Sequence, residues 1–106
     1  MDRQPCVYIL ASQRRGTLYI GVTANLARRL FEHRNGATQG FTERYGVHHL
    51  VHVDQCATMP LAIAREKQLK NWHRDWKINL IEAGNPNWDD LAVAWNLAPP
   101  LPPSSC

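Results

Sequence analysis

The sequence predicts an α+β domain in which a small three-stranded antiparallel β-sheet is flanked by helices. Two segments rich in β-branched and aromatic residues, 6–11 and 17–22, lie on either side of the turn-forming segment 12–16 and predict a hairpin. A third strand is predicted at 47–53, and the remaining segments carry the caps and the periodicity of helices. With 106 residues, the chain has the length of one domain with one core.

The hairpin is expected to place two tyrosines side by side. If the turn consists of residues 12–15, Tyr8 lies directly opposite Tyr19 on the neighbouring strand. The side chains of such a pair are close neighbours on one face of the sheet. A slip of the register by one residue would place them on opposite faces.

A helix is predicted directly after the hairpin. Thr23 or Asn25 can cap it, and it should run to about Gly36, because glycine commonly follows the end of a helix. Leu26 and Leu30 are four residues apart and are expected to face the sheet.

A second helix is predicted to begin after Thr58, which can cap it, and to run through Trp72. Trp76 and Leu80 follow at intervals of four residues, so the helical pattern continues or resumes until Gly84 ends it. We expect the tryptophans to pack within the protein rather than to stack on nucleobases.

The chain is expected to divide into a main domain and two short additions. The main domain is predicted at residues 5–84, a helical addition at 85–97 and a flexible proline-rich tail at 98–106.

The charge distribution favours a polyanionic partner. All 12 Lys and Arg residues and six of the nine acidic residues lie in residues 1–81, which carry +6, whereas residues 82–106 carry −3. A basic body of this kind is typical of nucleic-acid binding, and a merely solvated basic surface gives the same pattern. No apolar run is long enough to cross a membrane and no signal-peptide pattern precedes the first strand, so a cytoplasmic protein is expected.

An ordered set of residues resembles the GIY-YIG nuclease superfamily. Tyr19-Ile20-Gly21 matches the second tripeptide of that family outright, and Cys6-Val7-Tyr8 keeps the tyrosine of the first. Arg29 and His33 follow at the family spacing, and Glu66 on the second predicted helix resembles the family's metal-binding glutamate. The resemblance covers about residues 5–82 and implies a GIY-YIG endonuclease-like fold.

The resemblance implies metal-dependent hydrolysis of DNA phosphodiester bonds at a site with one metal ion. Glu66 would bind Mg²⁺ or Mn²⁺, and Arg29 would hold the scissile phosphate. His33 would donate a hydrogen bond to the phosphate or carry a proton. We expect Tyr19 to act as the general base and Tyr8 to position the water or the phosphate; the reverse assignment, or His33 as the base, stays open.

Two positions depart from the family pattern or match it by spacing only. Val22 follows the second tripeptide, where some relatives carry a lysine thought to help deprotonate a tyrosine. The family's asparagine corresponds by spacing to Asn79, with Asn71 as the alternative. Without the resemblance, Glu66 would read as a surface glutamate paired with Lys70, four residues later.

Several cations are candidates for contact with a nucleic-acid backbone, which would give salt-dependent, sequence-independent affinity. They are Arg14, Arg15, Arg44, Lys67, Lys70, Arg74 and Lys77. Specificity would come from DNA structure or from a partner protein, and an endonuclease of this kind would suit DNA repair.

Three histidines close together in the third strand, His48, His49 and His52, are not expected to bind zinc. On an extended chain His48 and His52 lie roughly 13 Å apart, too far for one ion. They are expected at the surface or at a sheet edge.

Two other functions fit the same sequence. The first is a nucleic-acid-binding module that keeps the scaffold without catalysis. The second is a protein-interaction domain that uses Trp88, Trp95 and the segment 99–103.

Overall fold

A computed structural model describes residues 4–34 and 46–95 of the chain. Strands β1 (Cys6–Ala11), β2 (Leu18–Thr23) and β3 (His49–Gln55) form one antiparallel sheet in the order β2-β1-β3, with β1 in the centre. With the helices that flank this sheet, the predicted α+β class is confirmed.

The register of the hairpin differs from the prediction by two residues. Tyr8 pairs with Gly21, and Leu10 pairs with Tyr19. The turn is longer than predicted: the amide of Ser12 bonds the carbonyl of Thr17 at 3.0 Å, and the Ser12 hydroxyl accepts from the Thr17 amide at 2.9 Å. Because the shift is even, both tyrosines remain on one face of the sheet.

The third strand also begins later than predicted. It spans His49–Gln55, whereas Val47 is buried just before it. A bulge against Ile9 and Leu10 in the central strand changes its register, which the alternation of residue types along the segment does not reveal.

Four helices complete the described part of the chain: α1 (Leu26–Arg34), α2 (Met59–Asn71), α3 (Arg74–Gly84) and α4 (Leu91–Ala94). The Asn25 side chain accepts from the Arg28 amide at 3.2 Å and caps α1, and the Thr58 hydroxyl caps α2 by accepting from Leu61 at 3.4 Å. Helices α2 and α3 are separate because Trp72 adopts an extended conformation with ψ 150°.

The two faces of the sheet bury different clusters. On one face, hereafter the α2–α3 face, helices α2 and α3 pack over Val7, Ile9, Ala11, Ile20 and Val51. On the other, hereafter the α1–α4 face, α1 and α4 pack over Tyr8, Leu10 and Leu50. The predicted sheet-facing residues of α1 are confirmed, since Leu30 is buried and Leu26 packs beside it.

The segment after α3 contributes to the core of the protein. Trp88 is buried on the α2–α3 face and its indole nitrogen donates to Glu82 at 2.8 Å, while Ala92 is buried on the α1–α4 face. The predicted use of Trp88 in a protein-interaction surface is therefore wrong. The predicted flexible tail, 98–106, lies outside the described residues.

Within residues 4–34 and 46–95, no helix is long and apolar enough to cross a membrane.

Candidate active site

Tyr8, Tyr19 and Arg29 come together on the α1–α4 face of the sheet. The Tyr8 side chain is fully buried, and its hydroxyl accepts a hydrogen bond from Nε of Arg29 at 3.4 Å. The rings of Tyr8 and Tyr19 lie 6.3 Å apart, centre to centre, with a tilt of 39°. The tyrosines are thus diagonal neighbours on adjacent strands, and α1 brings the guanidinium to them.

Arg29 is held between the buried tyrosine and solvent. Its Nη1 lies 3.3 Å from a carboxylate oxygen of Glu32, and 38% of its side chain is exposed. With Thr23, Asn25, Arg28 and the carboxylate-bearing Glu32, it lines a cleft of about 310 Å³ at the start of α1. Part of the Arg29 guanidinium group therefore faces a cleft that is open to solvent.

The surroundings of Tyr8 keep its hydroxyl protonated at neutral pH. Burial raises the pKa of Tyr8 far above its usual value, and the hydrogen bond from Arg29 offsets only part of this effect. The same hydrogen bond is the main cause of the raised pKa of Arg29. The Tyr8 hydroxyl thus acts here as the acceptor of the hydrogen bond from Arg29.

Glu66 lies on α2 between Ala62 and Leu69, which are buried on the α2–α3 face. Its side chain is 17% exposed, and its carboxylate lies 3.7 Å from Nζ of Lys70. Lys70 in turn shares a cleft of about 330 Å³ with Tyr19 at the β2 edge of the sheet. The carboxylate thus lies next to a lysine that borders the same cleft as Tyr19.

The other predicted site residues lie in different places. Asn79 is exposed on α3, in a cleft with Trp72 and Trp76, and Asn71 is the exposed last residue of α2. His33 lies on α1 one turn after Arg29, but its side chain is outside the described part of the structure.

The predicted cations for nucleic-acid contact differ in their surroundings. Arg14 and Lys67 are exposed, and Arg44 lies outside the described residues. Arg15 binds both carboxylate oxygens of Glu82 at 3.1 Å, an interaction that raises the pKa of Arg15. Arg15 thus connects the hairpin turn to α3, and residue types alone could not indicate this partner because 67 positions separate the two residues.

The histidines of the third strand lie at a sheet edge, one of the two positions predicted for them. His48, His49 and His52 are half-buried on or just before an edge strand. Nε2 of His52 lies 3.4 Å from the carboxylate of Asp54, which also accepts from Arg65 at 3.1 Å. Over the described ranges, no three His, Cys, Asp or Glu side chains are grouped to hold a metal ion.

A family model described as the GIY-YIG catalytic domain matches residues 4–79 of the chain. The chain belongs to the GIY-YIG family. The match spans all three strands of this GIY-YIG protein and the helices that carry Arg29 and Glu66.

Curated relatives of the GIY-YIG protein are small proteins named only as UPF0213 proteins. A protein of Oceanobacillus iheyensis, OB0043, is 35% identical over 82 residues, which cover 77% of this chain and 94% of the relative. HQ_3675A of Haloquadratum walsbyi is 34% identical over 68 residues, covering 64% and 76% of the two chains. SSP2268 of Staphylococcus saprophyticus is 30% identical over 69 residues, covering 65% and 84%. No solved structure matches.

The glycine of the second tripeptide in this GIY-YIG protein makes room for Tyr8. A Cβ atom at Gly21 would clash with the hydroxyl oxygen of Tyr8. It would also lie 2.5 Å from Cζ of Tyr8 and 3.0 Å from Cε1 of Tyr19. Since Tyr8 is fully buried, its ring has little room to move away. The absence of a side chain at Gly21 thus lets the tyrosine reach Arg29.

We expect Gly21→Ala to reduce the free energy of unfolding by about 1–3 kcal/mol, the usual cost of overpacking. Gly84→Ala is the matched control, because a Cβ there meets nothing within 4 Å. Urea unfolding followed by circular dichroism should show the Gly84 variant at or above the wild type. Equal stability of the two variants would contradict the assigned contact between Gly21 and Tyr8.

Proposed function

We propose that this protein is a metal-dependent endonuclease that hydrolyses phosphodiester bonds in DNA. The observation that carries the proposal is the contact between the buried Tyr8 hydroxyl and Arg29 beside Tyr19, on a face where Arg29 also opens to a cleft. With Nε donating to Tyr8 and one N–H of Nη1 directed at Glu32, the guanidinium still has N–H groups on Nη1 and Nη2 for phosphate oxygens. Family membership supports the same chemistry.

Glu66 is the residue that fits a divalent cation. Its carboxylate is sheltered, pairs with Lys70 and offers the oxygen ligands that Mg²⁺ and Mn²⁺ prefer. Mg²⁺ usually keeps several waters, so one carboxylate and a substrate phosphate can suffice. When bound, such an ion would supply Lewis-acid charge at the phosphate and stabilise the leaving oxygen.

The protein's own groups divide the remaining tasks. Arg29 binds two oxygens of the scissile phosphate and neutralises charge that develops in the transition state. Tyr8 keeps its proton and positions the phosphate or the attacking water, because its raised pKa makes it a poor base. Of the two tyrosines, Tyr19 is then the general base, and His33 carries or donates a proton. Asn79, which lies in a separate cleft with Trp72 and Trp76, is proposed to contact the nucleic acid from there.

The contacts proposed with DNA are made mainly to its backbone. Arg14, Lys67 and Lys70 are exposed cations that would bind phosphates without reading sequence. We therefore infer that the DNA is selected by its structure or through a partner protein, as in DNA repair, and that affinity falls steeply with salt.

A panel of end-labelled nucleic acids tests this function. Duplex, branched and single-stranded DNA and RNA are incubated with the wild type in Mg²⁺, in Mn²⁺ and in EDTA. We expect internal cleavage of at least one DNA in the presence of metal and none in EDTA. Salt-dependent binding without cleavage in any metal would instead identify a non-catalytic binding module, and binding to none would favour protein interaction through residues such as Trp95.

A further inference from the structure

Trp76 is exposed on α3, whereas its neighbours Trp72 and Leu80 are partly buried against the core. Trp76 was predicted to pack internally, and this prediction is wrong: 54% of the residue is exposed. Periodicity shows that Trp76 and Leu80 share one side of α3, but not whether another element covers that side. Together with Asn79 they line an open, largely apolar cleft of about 420 Å³.

The indole of Trp76 is held in place although it is exposed. The ring of Trp72 lies 5.9 Å from it at 83°, and the ring of His73 lies 5.5 Å from it at 85°. Arg65 holds Trp72 from another direction, with its guanidinium carbon 5.2 Å from the ring centre. A ring fixed by near-perpendicular neighbours loses little conformational freedom when a flat ligand stacks on it.

Positive charge lies beside the aromatic cleft and leads to Tyr19. Lys77, the residue after Trp76, lines the neighbouring cleft with Lys70 and Tyr19, and its Nζ lies 3.5 Å from the Lys70 carbonyl oxygen. Going from Trp76 towards Tyr19, the surface presents first an aromatic ring, then the side chains of Lys77 and Lys70, and then the proposed reaction site. This order matches a nucleotide, which has a flat base and an anionic phosphate.

We propose that Trp76 is a base-stacking subsite for a nucleobase that has left the helical stack, with Lys70 and Lys77 holding the backbone that leads to the scissile phosphate. The inference rests on the proposed function, since it assumes a nucleic acid at Tyr19. The side-chain amide of Asn79, in the same cleft, can donate to and accept from a base edge. A base that is still paired and stacked inside a duplex has no free face for the indole.

Binding in EDTA tests this subsite separately from cleavage. The probes are a fluorescently labelled single-stranded oligonucleotide and an abasic oligonucleotide of the same length, which has the same phosphates without bases. Affinity is measured for the wild type, Trp76→Ala and Trp76→Phe. Trp95→Ala is the matched control, because Trp95 is equally exposed, at 52%, just after α4 on the opposite side of the sheet.

The wild type should prefer the oligonucleotide with bases by about five- to 150-fold, the usual effect of stacking one base on an aromatic side chain. Trp76→Ala should abolish this preference and leave the affinity for the abasic probe unchanged, while Trp76→Phe and Trp95→Ala should keep it. An unchanged preference in Trp76→Ala, or an equal loss in Trp95→Ala, would overturn the subsite. Failure of cleavage in Mg²⁺ with a Trp76-dependent preference intact would overturn only the proposed enzyme activity.

Discussion

Replacement of Arg29 by lysine is expected to reduce metal-dependent cleavage by about 100- to 1,000-fold, the usual loss when one preorganised donor to a developing oxyanion is removed. Lysine keeps the positive charge but has no planar fork, so it cannot bind two phosphate oxygens and Tyr8 together. The measurement is the single-turnover rate on the substrate found in the panel, with saturating enzyme. Affinity in EDTA should change much less than the rate.

The neighbouring arginine provides a control on the same helix. Arg28 also pairs with Glu32, with Nε 3.6 Å from the carboxylate, but 73% of its side chain is exposed. Arg28→Lys keeps the positive charge at the rim of the cleft and loses only an exposed ion pair, worth about 0–1 kcal/mol, so the rate should stay within about twofold of the wild type. Equal rates in Arg28→Lys and Arg29→Lys would contradict the assignment of Arg29 to the scissile phosphate.

Arg29→Lys should also affect folding, through Tyr8. The buried hydroxyl loses the hydrogen bond from Nε, and a hydrogen bond to a charged group contributes about 1.5–3 kcal/mol. We therefore expect an unfolding free energy lower than that of Arg28→Lys by an amount of this order. The substitution thus separates a structural effect, seen in urea, from a catalytic effect, seen in the rate of folded protein.

The fold was predictable because its local signals agree with one another. Asn25 and Thr58 cap helices where the sequence predicts starts, and Gly84 ends α3. The hairpin was predicted correctly, but its register was not, because the register depends on the conformation of the turn. Arg15 adopts a left-handed conformation with φ 56° there, which residue types alone do not reveal.

The site was predictable as a set of residues but not as an arrangement. Spacing and resemblance indicated Tyr8, Tyr19 and Arg29, and the structure gathers these three. The role of Gly21 depends on the register, so it becomes visible only when Tyr8 is known to lie opposite it. The exposure of Trp76 depends on which elements pack over α3, which is a long-range property of the fold.

The residues proposed for catalysis come from both faces of the sheet. Arg29 comes from α1 on the α1–α4 face, whereas Glu66 comes from α2 on the other face. The edge strand β2 carries Tyr19, and Lys70 lies in the cleft beside it. A phosphate held at this edge would be reached by cations from both sides.

Glu66→Gln is expected to reduce metal-dependent cleavage by about 1,000-fold or more, since a Lewis acid contributes several kcal/mol to transition-state stabilisation. Glutamine keeps the shape of the side chain and one oxygen but loses the charge that attracts Mg²⁺. Stability should change by about 1 kcal/mol or less, because the carboxylate has an exposed partner in Lys70. DNA binding in EDTA should be kept.

Lys70→Ala tests whether metal binding depends on the Glu66 carboxylate itself or on its ion pair with Lys70. This variant leaves the Glu66 carboxylate intact and removes the ammonium group that competes with a cation for it, so Mn²⁺ should bind at least as tightly as in the wild type. Mn²⁺ affinity, measured by paramagnetic resonance of the free ion, should instead fall in Glu66→Gln. Because Lys70 is also proposed to hold the DNA backbone, Lys70→Ala should weaken DNA binding, whereas Glu66→Gln should leave DNA binding unchanged. Wild-type Mn²⁺ affinity in Glu66→Gln would remove Glu66 from the metal site and place the ion elsewhere in the protein.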